Sequence, residues 1–378
     1  MSEAVVKVIN SLAEVDASAW DACAGPSNPF VSHAFLLALE QSGSAVRRTG
    51  WLPQHLVLET DLGITGVMPL YLKSHSQGEY VFDHGWAEAY QRAGGAYYPK
   101  LQSCVPFSPV PGPRLLAHDT ASKQALAAAA VELARRLEVS SLNITFPDEA
   151  DWTLFGELGF LQRTGEQFHW SNAGYGTFDD YLEALAARKR KAVKKERREA
   201  VAAGIEIFAL SGPDLTEEHW DAFFEFYMDT GSRKWGQPYL TRDFFTRLHA
   251  SMADKVVLIM ARRDGRWIAG ALNLRGSDTL FGRNWGCIEQ HPYLHFEICY
   301  YQAIDYAIAH GLQRVEAGAQ GEHKLARGYL PVPTYSAHWI ADPAFRRAVA
   351  DFLKRERQHI EADIAAYTEH SPFRKEPD

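Results

Sequence analysis

The sequence predicts an α/β (α+β) chain of two tandem units, each a mixed sheet flanked by helices. Three observations predict it. The chain has 378 residues, room for two domains at roughly 100–200 residues each. Its order of strand-like and helix-like runs repeats once with a period of about 180 residues, a duplication and not a solenoid. Both copies close on one signature, a Gly-aromatic pair and, eight residues on, His-Trp: Gly159-Phe160 with His169-Trp170, and Gly328-Tyr329 with His338-Trp339.

The elements follow in order. Pro29-Phe30 precedes Phe35-Leu36 in the first copy, and Pro238-Tyr239 precedes Phe244-Phe245 in the second. Strand-like runs 55–59 and 66–70 match 256–260 and 270–274. The second pair turns at Asp264-Gly265, a strong hairpin dipeptide. Phe82-x3-Trp86 aligns with Phe281-x3-Trp285. Helical patterns over 121–137 and 296–309 precede strands at 141–146 and 314–319. Gly311 is the expected C-cap of the second of these helices. Between the copies, 178–203 is rich in helix formers and stops at Gly204. Residues 343–367 form a further amphipathic helix. The expected boundaries are 1–172, a basic helical connector at 173–204, 205–342, and a helix and tail at 343–378.

Composition narrows the function. The net charge of −8 excludes a general polyanion binder, so any phosphate contact must come from a local patch. Cys23, Cys104, Cys287 and Cys299 form no CxxC pair, which fits lone thiols in a reducing compartment. The N-terminus lacks a basic region followed by an apolar run. Apolar runs such as 125–131 are far shorter than the about 20 residues of a membrane span. The expectation is a cytoplasmic protein without a transmembrane segment, touching a membrane at most weakly at its surface. There is no GxSxG, P-loop or dinucleotide fingerprint, so hydrolase, NTPase and dehydrogenase readings have no support. The histidines show no metal-ligand spacing, and no metal is expected.

The repeated unit, closing on its Gly-aromatic turn, resembles the GNAT acyltransferase fold. Two such units with a Lys/Arg-rich helix between them resemble the Fem-type transferases. The segments YLEALAARKRKAVKKERREAVAAG, HFEICYYQAIDYAIAHGL and EAGAQGEHKLARGYLPVPTYSAHW are similar to a Fem-like bacterial N-acyltransferase family. The resemblance runs from residue 28 to 352. It implies two tandem GNAT-like acyl-CoA N-acyltransferase domains that move an acyl or aminoacyl group onto an amine. The implied acceptor is a cell-wall (peptidoglycan) precursor or an amine-bearing small molecule. The implied donor is aminoacyl-tRNA or acyl-CoA, so tRNA is a candidate partner, and no tightly bound cofactor is required. The glycine-rich phosphate loop of acyl-CoA enzymes is absent at 286–294, GCIEQHPYL. Two alternatives stand beside this reading: an acyl-CoA-dependent N-acetyltransferase of a small molecule, and a non-catalytic GNAT-like binding module.

Acyl transfer to an amine needs a base and donors for the developing oxyanion. The stretch 316–329, EAGAQGEHKLARGY, offers Glu316, Glu322 and His323 as base candidates. It offers Gln320, Lys324 and Arg327 to hold substrate carboxylate or phosphate. The first copy has no His, Lys or Arg in the matching stretch, so the fold alone does not require them. Asn273, Arg283 and Trp285, with Glu297 and Tyr300, form a second polar group on predicted strands and the following helix. In the first copy Tyr71, Asp83 and Lys100 are the substrate-binding candidates. Residues 188–198 hold eight basic residues and one acid. Of these, Arg188, Arg190, Lys191, Lys194, Lys195 and Arg198 are the candidate phosphate binders. Gly112 and Arg114, ahead of a predicted helix, stand where a cofactor phosphate would bind, although the neighbouring prolines remove backbone donors.

Overall fold

The computed structural model describes residues 4–374 except 62, 236, 237, 319 and 320. The side chains of 234, 235 and 322 are also outside the description. The chain divides into two compact units, Met1–Glu166 with Pro333–Ala362, and Gln167–Val332 with Asp363–Asp378.

The first unit contains helices α1 (Ala17–Ala24), α2 (His33–Gln41) and α3 (His84–Arg92). One of its sheets runs β1 (Val5–Ile9), β3 (His55–Thr60), β4 (Gly63–Met68), β7 (Leu116–Ala117). The other contains β2 (Trp51–Pro53), β5 (Tyr71–Lys73), β6 (Lys100–Ser103), β8 (Ser141–Thr145) and the end of β15 (Leu330–Ile340). Alternation along a strand puts i and i+2 on one face. Leu101 and Leu142 therefore line one face in register, packed with Ile144 and Ala337 in a core shared with α4 (Thr120–Arg136) and α5 (Glu149–Glu157). The opposite face carries Lys73 beside Lys100, and Gln102 beside Asn143 beside His338, all buried.

The second unit starts within β9 (Leu161–Ser171) and continues with α6 (Phe178–Ala184), α7 (Ala187–Ala200), β10 (Glu206–Leu210), α8 (Glu217–Trp235) and α9 (Arg242–Met252). Then come β11 (Val256–Arg263), β12 (Arg266–Arg275) and β13 (Thr279–Cys287). Asp264 and Gly265 both have positive φ, 51° and 77°, as the expected tight hairpin requires. The chain then enters α10 (Leu294–Phe296), a π turn at Glu297–Tyr301, α11 (Gln302–Ala309), β14 (Arg314–Glu316) and a 3-10 turn at Glu322–Arg327. The strand order is β10-β11-β12-β13-β14-β9. β13 pairs with β14 in parallel, and only from Thr279 to Phe281. β14 ends at Glu316 while β13 continues to Cys287, and among the described residues no strand pairs with that stretch on the β14 side. This fork positions the candidate site.

Three expectations shift. Phe82 lies in a loop and Trp86 in α3, whereas Phe281 and Trp285 lie in β13, so those pairs are not counterparts. The strand matching β13 is β6, which runs parallel to β8 as β13 does to β14. The basic run is α7, a helix of the second unit. The two compact units also differ from boundaries placed at 172 and 342, and the closing strands are the reason. Gly159 and Gly328 turn with φ of 84° and 81° into β9 and β15, eleven residues each. β9 ends paired with β14 in the second unit, and β15 ends paired with β8 in the first. The last helix, α12 (Pro343–Glu369), begins in the first unit.

Candidate active site

At the fork, β14 ends on Glu316, whose side chain is buried. Its Oε2 lies 3.8 Å from Arg283 Nη2, and its Oε1 lies 3.9 Å from His169 Nδ1. Oε2 accepts no hydrogen bond among the described residues. Burial raises the carboxyl to about 7, with Arg283 and Arg314 pulling the other way. Lys324 is also buried, and its Nζ donates to the Gly318 carbonyl at 2.8 Å. Burial first, then repulsion from Arg283, lowers its ammonium to about 7. The backbone must pass closely here. A Cβ at Gly282 would meet Glu316 O at 3.1 Å and Asn273 Oδ1 at 3.2 Å.

His169 stands opposite Glu316 in register. Its Nε2 is 3.1 Å from Gln167 Oε1, so Nε2 carries the proton and donates. Burial, then nearby Arg314, Lys324 and Arg283, push its pKa down to about 3, so the ring is neutral. The first unit repeats this layout. His338 stands opposite Asn143, with Nδ1 2.7 Å from Asn143 Oδ1 and Nε2 3.0 Å from Ser336 Oγ. There Asn143 accepts, so Nδ1 carries the proton and Ser336 donates to Nε2.

A partly open wall of rings adjoins the fork. His323 is exposed, with Nε2 2.8 Å from the Tyr300 hydroxyl. The rings of Phe296, His295 and Trp285 continue the wall. Tyr300 belongs to the π turn, a helix irregularity common at functional sites. The side chain of Glu322 and all of Gln320 lie outside the described residues.

Other candidates turn out to hold the fold. Arg327 donates to both carboxylate oxygens of Glu196 on α7, at 2.9 and 3.1 Å, and to His323 O at 2.7 Å. Its guanidinium also lies 3.4 Å over the Phe296 ring. Each of its three nitrogens already donates within the fold, which corrects the substrate-holding role. Glu297 is paired with Arg197 at 3.0 Å and accepts from Gln302. Asn273 donates to the carbonyls of Val257 and Ala271. Sequence reasoning misses Glu196 and Arg197, which are inconspicuous within the basic run. They face inward with Val193 and Ala200, at helical spacing. On the outer face Arg188, Lys191 and Arg198 are exposed and make no salt bridge among the described residues; Arg190 is half-buried and also makes none. Lys194 and Lys195 approach Asp179 and Glu199 loosely, at 3.9 and 3.8 Å.

In the first unit, Lys73 and Lys100 face each other across β5 and β6, both fully buried. Like charges so placed need counter-charges. Glu79 supplies one, 3.6 Å from Lys73 and 2.7 Å from Lys100, and Asp83 also pairs with Lys100. Tyr97 donates to Asp83. Tyr71 is fully buried between Trp51 and His55. Tyr71, Asp83 and Lys100 thus form part of a closed interior, which corrects their substrate-binding role. Arg114 is corrected too. It precedes β7, not a helix, since α4 is capped by Asp119. Its guanidinium donates to the carbonyls of Val110, Gly112, Pro113 and Thr145. With four of the guanidinium's five N–H groups so used, Arg114 fully buried and Gly112 N–H donating to Phe146 O, Gly112 and Arg114 serve the fold.

A family model matches residues 11–375, nearly the whole chain, and the chain belongs to that family: FemAB-like, described as peptidoglycan biosynthesis/recognition. Its fold, two tandem GNAT-like domains, is shared with solved structures. FemX is 12% identical, with a TM-score of 0.57 over 89% of this chain and 98% of that one. The C-terminal domain of a putative lysylphosphatidylglycerol synthetase from Agrobacterium fabrum is 10% identical, with a TM-score of 0.55 over 90% and 96%. L-PGS from Bacillus licheniformis is 10% identical, with a TM-score of 0.53 over 87% and 98%. Among curated proteins none matches this sequence. No described helix is long and apolar enough to cross a membrane.

Proposed function

We propose that the second unit is an N-acyltransferase moving an acyl or aminoacyl group onto the amine of a cell-wall precursor. The observation that carries this is Glu316, a buried carboxyl held near 7 at the fork of parallel strands. A base works best when its pKa lies near the working pH. Glu316 takes the proton of the attacking amine, directly or through one water. The nitrogen bonds to the donor carbonyl, and the ester or thioester bond breaks to release tRNA or CoA, which takes up a proton. Arg283 and Lys324 supply positive charge beside the developing oxyanion. Tyr300, His323 and Trp285 line the approach. The family's description, peptidoglycan biosynthesis/recognition, supports a cell-wall precursor as acceptor. The exposed basic face of α7 suits the phosphates of aminoacyl-tRNA or of a diphosphate-linked precursor.

The test is a transfer assay pairing acyl-CoA or aminoacyl-tRNA with peptidoglycan precursors as amine acceptors. Glu316→Gln should lower turnover by about 10²–10⁴ with the productive donor. Saturable precursor binding without turnover, and unchanged in the variant, would replace this reading with a binding module.

A further inference from the structure

We propose that Gln167 and His169 form a positioning relay for Glu316: Gln167 fixes the His169 tautomer that leaves Nδ1 unprotonated beside the Glu316 carboxyl. This rests on the reading of Glu316 as the base. Which imidazole nitrogen carries the proton is set by the bond the other one makes. Gln167 and His169 are two residues apart on β9, hence on one face, and their contact of 3.1 Å requires Nε2–H. Nδ1 is then unprotonated and lies 3.9 Å from Glu316 Oε1, close but beyond a direct hydrogen bond. The partial negative charge of that nitrogen repels a carboxylate at this distance and leaves the neutral acid undisturbed. The relay therefore favours the protonated acid. It opposes the cations facing Glu316, which are Arg283 from β13 and Arg314 from β14; Asp278 acts on the same side as the relay. Lys324 faces His169 and helps keep the ring neutral.

The molecule contains its own comparison. In the first unit Ser336, His338 and Asn143 occupy the matching places, and the ring carries its proton on Nδ1. Residue i−2 and the cross-strand partner thus select opposite tautomers in the two copies. In the first copy the unprotonated nitrogen accepts from Ser336, whereas in the second it lies beside an acid.

Gln167→Leu removes the acceptor of Nε2–H, and the ring becomes able to donate from Nδ1 to the carboxylate. His169→Phe removes the lone pair outright. Two readouts are measured on the full chain. One is the infrared band of the protonated Glu316 carboxyl against pH, assigned by subtracting Glu316→Gln and needing no substrate. The other is the acidic limb of the pH–rate profile. In both variants the midpoint should fall by about one pH unit, while Ser336→Ala leaves it in place. A midpoint that stays within a few tenths of wild type in Gln167→Leu, with activity reduced equally at every pH, would overturn the relay and leave a structural role. If Glu316→Gln retains turnover, the base reading fails, and the infrared titration still decides the relay.

Discussion

The two units bury similar charges and treat them differently. In the first, Lys100 is enclosed with Glu79 and Asp83, and its ammonium sits above the ordinary range because the two carboxylates outweigh the cost of burial. In the second, Lys324 has one carbonyl partner, Arg283 nearby, and an ammonium lowered to about 7. Asn143 meets His338 at hydrogen-bond distance, whereas Glu316 stands off His169 by 3.9 Å. A duplicated scaffold can enclose one buried lysine with two carboxylates and leave another without any, and the contrast is between these two lysines alone, since burial also lowers Lys73 of the first unit to about 7. What marks the second copy is a carboxyl and an ammonium both near 7 beside a partly open wall of rings, where a substrate can reach them.

The sharpest challenge to this contrast is a matched pair of deletions. Lys100→Met leaves buried Asp83 without a cation and Glu79 with Lys73 alone, and should destabilise the protein by about 3–5 kcal/mol in urea unfolding. Lys324→Met removes a cation crowded by Arg283 and should change stability by less than about 1 kcal/mol at pH 7 while impairing transfer. Equal costs would erase the distinction.

A second test uses pH. Glu316 titrates at about 7 in the fold against an ordinary 4.5. A raised carboxyl costs nothing below 4.5. Its cost grows as pH climbs from 4.5 to 7, reaches on the order of 3 kcal/mol, and then stays level. Stability curves of wild type and Glu316→Gln should therefore separate across that window, the variant gaining. Parallel curves would mean that Glu316 is not held protonated by the fold.

The smallest effect on stability is expected at α7. Replacing Arg188, Lys191, Lys195 and Arg198 with Gln removes outward charges and should change stability by about 0.5 kcal/mol or less per site. Binding of a phosphate-bearing substrate should weaken, with a log–log salt slope flatter by about one for each phosphate no longer neutralised. An unchanged slope would make the outer face of α7 a solvated surface only.

Much of this is legible in sequence where the signal is local. The two Gly-aromatic turns need positive φ, and glycine in both copies announces them. Glu316, His323 and Lys324 share one short stretch, Arg283 lies on a nearby strand run, and all four gather at or beside the fork. What a side chain's donors are already doing is not local. Arg327 is taken by Glu196, 131 positions away, and Arg114 by carbonyls of its own loop and of β8. His169 is visible through the repeated His-Trp, yet a repeat by itself reads as framework. Its inward polar position on a closing strand is the signal that sets it apart.

The crossing of the closing strands also sets an order of assembly. A ribosome delivers residues 1–166 first, yet the first unit needs Pro333–Ala362 to be whole. Until β15 arrives, the β8 edge at Ser141–Thr145 lacks its partner there, an open template for wrong pairing. The first unit is closed only after residues 167–332 have been made, so its open edge stays vulnerable throughout that interval.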